Sequence, residues 1–301
     1  MSAQATARSR RPHAFTLILG VAVAATVLVP AAPASAAVPG LVRIAVTSAS
    51  NSNDFRSVTA TCPAGKVLTG TGYELNGVTG EAVVDDLRPN GGPAAAPTSV
   101  TVGAYEAEAF AGNWTLTAYA ICANPIAGLV RVSAVSASTS ADFRSVTATC
   151  PAGKVLTGTG YELNGATGEG VVDDFRPNGG PAAAPTSVLV GAYEAEAFAG
   201  TWSATAYAIC ANPLPGLTRI AAVSPSDSND FHGVVAACPL GKVLTGGGYE
   251  LNGVTGEAVV DDFRPNGGPA AAPTAITSGA YEEDSFTGNW SNTAYAICAT
   301  A

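Results

Sequence analysis

The chain has 301 residues, with 23 acidic and 14 basic side chains and a formal net charge of −9. This negative balance argues against nucleic acids and anionic membrane surfaces as partners, because both require basic patches. Six cysteines and few charged residues are typical of a protein stabilised by disulfides.

The first 36 residues have the pattern of a secretory signal peptide. Arg8, Arg10 and Arg11 precede an apolar run at 14–29, and small residues at Ala34 and Ala36 predict cleavage after Ala36. The run has about 16 residues, fewer than the roughly 20 of a membrane-spanning helix. We expect a secreted, extracellular protein with no membrane span. Its net charge would be about −12, because the signal removes three of the 14 basic residues and none of the 23 acidic ones.

The rest of the chain consists of three copies of one module. GLVRIAVTSAS begins at Gly40, GLVRVSAVSAS at Gly128 and GLTRIAAVSPS at Gly216, a period of 88 residues. The predicted domains are therefore 37–127, 128–215 and 216–301. The repeats leave no room for a separate catalytic domain, and how they pack together and whether the chain oligomerises stay open at this stage.

Each repeat predicts about six β-strands. The segments LVRIAV, SVTATCP, KVLTGTGYEL, EAVVDD, SVTVGAY and WTLTAYAICA are separated by Gly, Pro and Asn turn signals, and several alternate with a period of two. The predicted fold is all-β, with three tandem antiparallel β-sandwich or small-barrel modules. A single three-fold β-prism is the alternative. The stretch RPNGGPAAAPT, which follows VVDD almost unchanged in each repeat, is predicted to be a turn-rich connection.

Two cysteines lie 60 positions apart in each repeat. An even count in a secreted protein predicts one internal disulfide per repeat, namely Cys62 with Cys122, Cys150 with Cys210 and Cys238 with Cys298. Such a bridge would stabilise a module by roughly 4 kcal/mol in the chain-entropy model. Alternation places Trp114, Trp202 and Trp290 on the same face as the last cysteine of each repeat. We expect these tryptophans to fill the core, with sugar stacking as the alternative.

The sequence resembles repeat modules of secreted actinobacterial proteins, which are mostly uncharacterised. The resemblance rests on CPAGKVLTGTGYEL at 62–75 and GNWTLTAYAICA at 112–123, and it covers all three repeats. It implies secretion and modularity but no activity. A weaker resemblance is to the outer-layer protein of the egg vitelline membrane, a three-fold β-prism with Cys-Pro-x-Gly repeats and a Gly-Asp-Asp turn. Here several residues, including Glu81, separate the glycine from Asp85 and Asp86.

Aromatic and polar residues recur together and form the predicted ligand site. Phe55, Phe143 and Phe231 supply apolar faces, and carbohydrate sites combine an aromatic platform with oriented polar groups. The alternative is that these rings fill the core. The candidate ligand-binding residues are Tyr105, Glu106, Arg88, Tyr193, Glu194, Arg176, Tyr281, Glu282 and Arg264.

Paired aspartates before the conserved connection are candidate calcium ligands, since calcium prefers oxygen ligands from loops. They are Asp85, Asp86, Asp173, Asp174, Asp261 and Asp262. No EF-hand spacing is present, and a salt bridge between Arg88 and Asp86 is the interpretation that we favour. No other cofactor is expected. Lys66, Lys154 and Lys242, one per repeat, are interpreted as gatekeeper charges at the start of a strand.

Catalytic patterns are weak. His232 is the one histidine after the signal and replaces Arg56 and Arg144 of the other repeats, so it cannot serve a mechanism common to all three. Carboxylates are abundant enough that a glycosidase-like pair carries little information. We therefore expect a non-enzymatic secreted binding protein with three equivalent modules, recognising extracellular or cell-surface carbohydrate such as glycans or cell-wall polymer. The alternative is a structural, envelope-associated repeat protein without a ligand.

Overall fold

A computed structural model describes residues 38–92, 95–269 and 271–301. The predicted signal peptide lies outside these residues. Eighteen β-strands and no helix occur in the described chain. Repeat 1 contains β1 (Val42–Thr47), β2 (Phe55–Thr61), β3 (Val67–Asn76), β4 (Ala82–Asn90), β5 (Ser99–Glu106) and β6 (Thr115–Ala123). Repeat 2 contains β7 (Val130–Val135), β8 (Phe143–Thr149), β9 (Val155–Asn164), β10 (Gly170–Pro177), β11 (Ser187–Glu194) and β12 (Ser203–Ala211). Repeat 3 contains β13 (Thr218–Val223), β14 (Phe231–Ala237), β15 (Lys242–Asn252), β16 (Ala258–Pro265), β17 (Ala275–Glu282) and β18 (Ser291–Thr300).

The all-β prediction and the six strands per repeat are confirmed. Each repeat has two three-stranded halves, β1-β6-β3 and β2-β5-β4 in the first, which pack on each other as a small sandwich. A disulfide joins the two halves, because the first cysteine follows the second strand and the other lies in the sixth. The bonds are Cys62–Cys122, Cys150–Cys210 and Cys238–Cys298.

The sandwiches are fused, because every sheet combines halves of two repeats. The three six-stranded antiparallel sheets have the orders β1-β6-β3-β16-β17-β14, β13-β18-β15-β10-β11-β8 and β2-β5-β4-β9-β12-β7. Each junction between repeats is short. In one of them Asp86 pairs with Glu162 and Leu87 with Tyr161. The repeats therefore close a ring, 1 to 2, 2 to 3 and 3 to 1, as the prism alternative requires.

Equivalent residues of the three repeats meet at the centre of this ring. The hydroxyl of Tyr249 lies 3.4 Å from that of Tyr73 and 3.3 Å from that of Tyr161, and all three tyrosines are buried. Phe175 and Phe263 pack edge-on against these rings. Residues 88 positions apart in the sequence thus share one buried centre, which gives the molecule approximate three-fold symmetry.

Candidate functional site

An aromatic pair, made of an exposed phenylalanine and a half-buried tyrosine, lies on the outer face of each sheet. In repeat 1 it joins Phe55 of the edge strand β2 to Tyr105, directly opposite in β5, with ring centroids 4.5 Å apart. The pairs Phe143–Tyr193 and Phe231–Tyr281 have centroids 4.6 Å apart. The three phenylalanines are 44%, 39% and 45% exposed, although burial of such rings is the usual arrangement. The alternative that they fill the core is therefore wrong.

A carboxylate lies beside each aromatic pair, over a glycine. Gly103 is two positions from Tyr105 on the same strand face, and a Cβ built on it would lie 2.9 Å from Asp86 Oδ2. Only glycine leaves room for this close approach. Ser57 is opposite Gly103 on the edge strand and is exposed. We call this group the aromatic shelf; its members are Phe55, Ser57, Asp86, Gly103 and Tyr105 in repeat 1, and Phe143, Ser145, Asp174, Gly191 and Tyr193 in repeat 2.

The shelf of repeat 3 differs from the other two. It consists of Phe231, Gly233, Asp262, Gly279 and Tyr281, with glycine in place of the serine. The ring of Phe231 lies over both glycines, with Cζ 2.8 Å from a Cβ built on Gly233 and Cε2 3.3 Å from one built on Gly279. The phenylalanine thus occupies part of the space that Ser57 and Ser145 border in the other repeats.

Several carboxyl groups lie close to each shelf. Burial raises the pKa of Asp86 above its usual range, the neighbouring charge of Glu162 raises it further, and Arg88 lowers it. Burial also raises the pKa of Tyr105, with added contributions from the negative charges of Asp85, Asp86 and Asp54. Tyr193 and Tyr281 are surrounded by the equivalent three aspartates. Each of these half-buried tyrosines therefore lies in the field of three carboxyl groups.

The first aspartate of each Asp-Asp pair is buried at a contact between repeats. Asp85 Oδ2 accepts a hydrogen bond of 3.3 Å from the backbone N–H of Gly168, while its Oδ1 has no partner among the described residues. Asp261 accepts the equivalent bond from Gly80, and its Oδ1 is likewise unpartnered. Burial raises the pKa of Asp85 and Asp173 well above the usual range and that of Asp261 to about 8.

The structure does not bring the aspartate pairs together as a calcium site. Asp85 is buried against the next repeat, whereas Asp86 lies on the outer face over Gly103. No group of three or more His, Cys, Asp or Glu side chains within 38–92, 95–269 and 271–301 has an arrangement that suits a metal ion. The same holds for Asp173 with Asp174 and for Asp261 with Asp262, whose surroundings are equivalent. The carboxylates are accounted for by contacts between repeats and by the shelves.

The predicted arginine and glutamate ligands serve mainly to hold the fold together. Glu106 accepts hydrogen bonds from Trp114 Nε1 at 2.8 Å and from the Phe110 backbone at 3.1 Å, one on each carboxylate oxygen, and Glu194 and Glu282 do the same. Arg88 is paired with Glu162 of the next repeat at 3.1 Å, not with Asp86 as predicted. Arg176 and Arg264 have the equivalent partners, Glu250 and Glu74. Arg88 is opposite Thr101, four positions from Tyr105, so it lies outside the shelf.

Tryptophan and lysine also have structural roles. Trp114, Trp202 and Trp290 are completely buried, so the core prediction is confirmed and the sugar-stacking alternative is wrong. Lys66 Nζ donates to the backbone oxygen of Gly40 at 2.5 Å and to Asn124 Oδ1 at 2.8 Å. Lys154 makes the equivalent bonds, and Lys242 donates to Gly216 O and Thr218 Oγ1. Each lysine thus fixes the connection that precedes the first strand of its repeat, a contact that the gatekeeper interpretation does not include.

His232 has polar neighbours that resemble a catalytic triad. Its Nδ1 lies 3.3 Å from Ser224 Oγ and its Nε2 lies 3.5 Å from Asp227 Oδ1. Ser224 Oγ, however, also donates to Pro225 O and accepts from Asn292 N, both at 3.0 Å. Ser48 and Ser136 make the same two kinds of bond in the repeats that lack the histidine. The serine is therefore explained as part of a turn common to all three repeats.

The sequence pattern predicted the aromatic residues of the shelf as part of a ligand site and Asp86 only as a calcium ligand, and it did not point to Ser57 or Gly103. The alternation that places Ser57 and Thr59 on the solvent side of β2 extends backwards to Phe55, so the exposure of this ring was available from the pattern. The position of Asp86 was not, because a β-bulge between Val84 and Asp86 changes the register with β5. No protein-family model matches the chain, and no curated protein matches it significantly.

Proposed function

We propose that the protein is a secreted, non-enzymatic carbohydrate-binding protein that uses the three aromatic shelves. The observation that supports this most directly is an exposed phenylalanine packed against a half-buried tyrosine at the same position in all three repeats. Aromatic rings offer flat apolar surfaces on which the C–H faces of a sugar stack, and adjacent polar groups orient its hydroxyls. Asp86 and Ser57 provide such groups in repeat 1.

Three shelves on one chain also favour a polymeric ligand. Each shelf lies on a different sheet, so one molecule presents three sites around its three-fold centre. When several sites engage one surface or network, effective concentration raises the overall affinity without new contacts. A repeating glycan or cell-wall polymer supplies many equivalent targets for these sites.

Secretion is proposed on separate grounds. The residues that predict it are at 1–36, outside the described chain, and the three disulfides suit an oxidising compartment. Within the described residues, no helix is long and apolar enough to cross a bilayer.

A glycan array with residues 37–301, followed by titration calorimetry on the best ligand, tests the proposal. The triple change Phe55→Ala, Phe143→Ala and Phe231→Ala should weaken binding by roughly tenfold or more, since each aromatic contact contributes about 0.5–1.5 kcal/mol. The matched control is Val135→Ala with Val223→Ala, which removes exposed apolar side chains outside the shelves. Absence of binding to any glycan would instead favour the structural, ligand-free role.

A further inference from the structure

We infer that the glycan taken by the aromatic shelves carries free, protonated amino groups, as in a polymer of deacetylated amino sugars. This inference rests on the proposed carbohydrate binding and specifies its chemical class. Three observations carry it: the aspartates around each ring pair, an unpartnered buried carboxyl oxygen next to each shelf, and the commitment of nearby arginines to other partners.

The first observation is the composition of the shelf. Asp54 immediately precedes Phe55, Asp86 lies over Gly103, and the charges of both act on the hydroxyl of Tyr105. A neutral sugar is oriented by a small number of polar groups, whereas several carboxyl groups beside aromatic faces suit a cation. An ammonium group within about 6 Å of a ring centroid gains a cation–π attraction in addition to the ion pair.

The second observation is the unpartnered oxygen. Asp85 is nine-tenths or more buried, and so are Asp173 and Asp261, yet Oδ1 of each has no hydrogen-bond donor among the described residues. Burying a carboxyl group with a hydrogen bond to only one of its oxygens is costly. A protonated amine bound at the neighbouring shelf would stabilise its ionised form.

The third observation is that no arginine or lysine of the described chain forms an ion pair with Asp86, Asp174 or Asp262. Arg88 is engaged by Glu162, and the guanidinium of Arg56 stacks on Trp114 at 4.1 Å on the inner side of β2. Arg176 and Arg264 are paired in the same way, and the lysines bond to backbone oxygens elsewhere. The charges of these arginines lower the pKa of the shelf aspartates, but they leave the carboxylates without an ion-pair partner. The acidic chain as a whole also attracts cationic polymers.

The test compares two ligands that share one backbone. Titration calorimetry with residues 37–301 would measure binding of a fully deacetylated glucosamine hexamer and of its N-acetylated counterpart at one pH and ionic strength. We expect the deacetylated chain to bind at least about tenfold more tightly, because acetylation removes the charge that ion pairing and the cation–π contact require. Equal affinities would overturn the inference and leave the proposed carbohydrate binding intact. Binding to neither hexamer nor to any arrayed glycan would remove both.

Two variants that lose the same number of charges test whether the shelf aspartates bind the amino groups. Asp86→Asn, Asp174→Asn and Asp262→Asn together should weaken binding of the deacetylated hexamer by about tenfold or more. Glu81→Gln, Glu169→Gln and Glu257→Gln remove the same number of charges from the turn before the fourth strand of each repeat and should change affinity less than about threefold. An equal loss in both variants, or equal affinity for a lysine hexamer, would overturn the inference, because either indicates general charge attraction.

Discussion

One aspartate of each repeat is buried where it makes a hydrogen bond to a neighbouring repeat. Asp261 of repeat 3 accepts a hydrogen bond from Gly80 of repeat 1, and Asp85 and Asp173 make the same bond around the ring. Sequence reasoning treated these aspartates as surface groups able to bind calcium, because an acidic pair before a turn is normally solvated. Burial of the first aspartate follows from packing against another repeat, and local periodicity carries no information about that contact.

Because the pKa values of these aspartates are raised in the folded protein, we expect the free energy of unfolding to decrease as the pH rises. Burial raises the pKa of Asp261 to about 8, so the folded protein retains a proton that the unfolded chain releases near pH 4. Stability from this group is fully present below the unfolded pKa and is lost as pH rises to about 8, at up to about 1.4 kcal/mol per pH unit. Urea unfolding at pH 5 and pH 8 should show this decrease. In the triple variant Asp85→Asn, Asp173→Asn and Asp261→Asn the decrease should be smaller, and an unchanged slope would contradict the assignment.

At the scale of elements, the conserved connection after VVDD is a clamp between repeats. Arg131 at the start of repeat 2 donates to the backbone oxygen of Pro89 at 2.7 Å, and Arg219 and Arg43 donate to Pro177 and Pro265. The backbone N–H of Arg219 also donates to Gly180 O at 3.3 Å. Arg219 lies in β13, an edge strand, so this bond occupies one of its unpaired backbone groups. These contacts give RPNGG a structural reason to recur, and they leave the shelves as the candidate for function.

A glycine under this clamp should be intolerant of a side chain. A Cβ built on Gly160 of β9 would lie 2.4 Å from Pro89 Cδ and 2.5 Å from Leu87 O, where the strand of repeat 1 crosses it. Gly160→Ala should therefore destabilise the protein by about 1–3 kcal/mol or more in urea unfolding. Gly180→Ala is the control, since a Cβ there has nothing within 4 Å. Equal stabilities of the two variants would show that the junction yields to the extra atom.

At the scale of the whole molecule, the sequence predicts the individual repeats better than the strand pairing between them. Strand alternation, the cysteine spacing and the 88-residue period lead correctly to six-stranded repeats with one disulfide each. They leave ring closure open, because β4, β10 and β16 are nearly identical in sequence. The third strand of a repeat would therefore meet nearly the same side chains on the fourth strand of its own repeat as on that of a neighbouring repeat. In the structure the fourth strand of repeat 1 pairs with the third strand of repeat 2 and passes closely over Gly160, a contact that no periodic signal reveals.

Ring closure predicts that the repeats do not fold as independent beads. A fragment of residues 38–215 lacks β16, the partner of β3, and β15, the partner of β10, and it exposes Tyr73 and Tyr161 at the former centre. We expect this fragment to show no cooperative melting transition as a monomer in circular dichroism and size-exclusion chromatography.

A circular permutant provides the matched control for that fragment. The backbone N–H of Val38 bonds to Thr300 O at 3.2 Å, so the two ends of the described chain are adjacent and can be joined. A chain that runs from Gly216 to Ala301 and continues from Val38 to Pro215 has the same break as the fragment but keeps every strand pair and every disulfide. It should melt within a few degrees of the parent. Cooperative melting of the monomeric fragment at the parent temperature would contradict the ring, because two repeats would then suffice. Loss of folding in both chains would instead assign the failure to the cut after Pro215, which the two chains share.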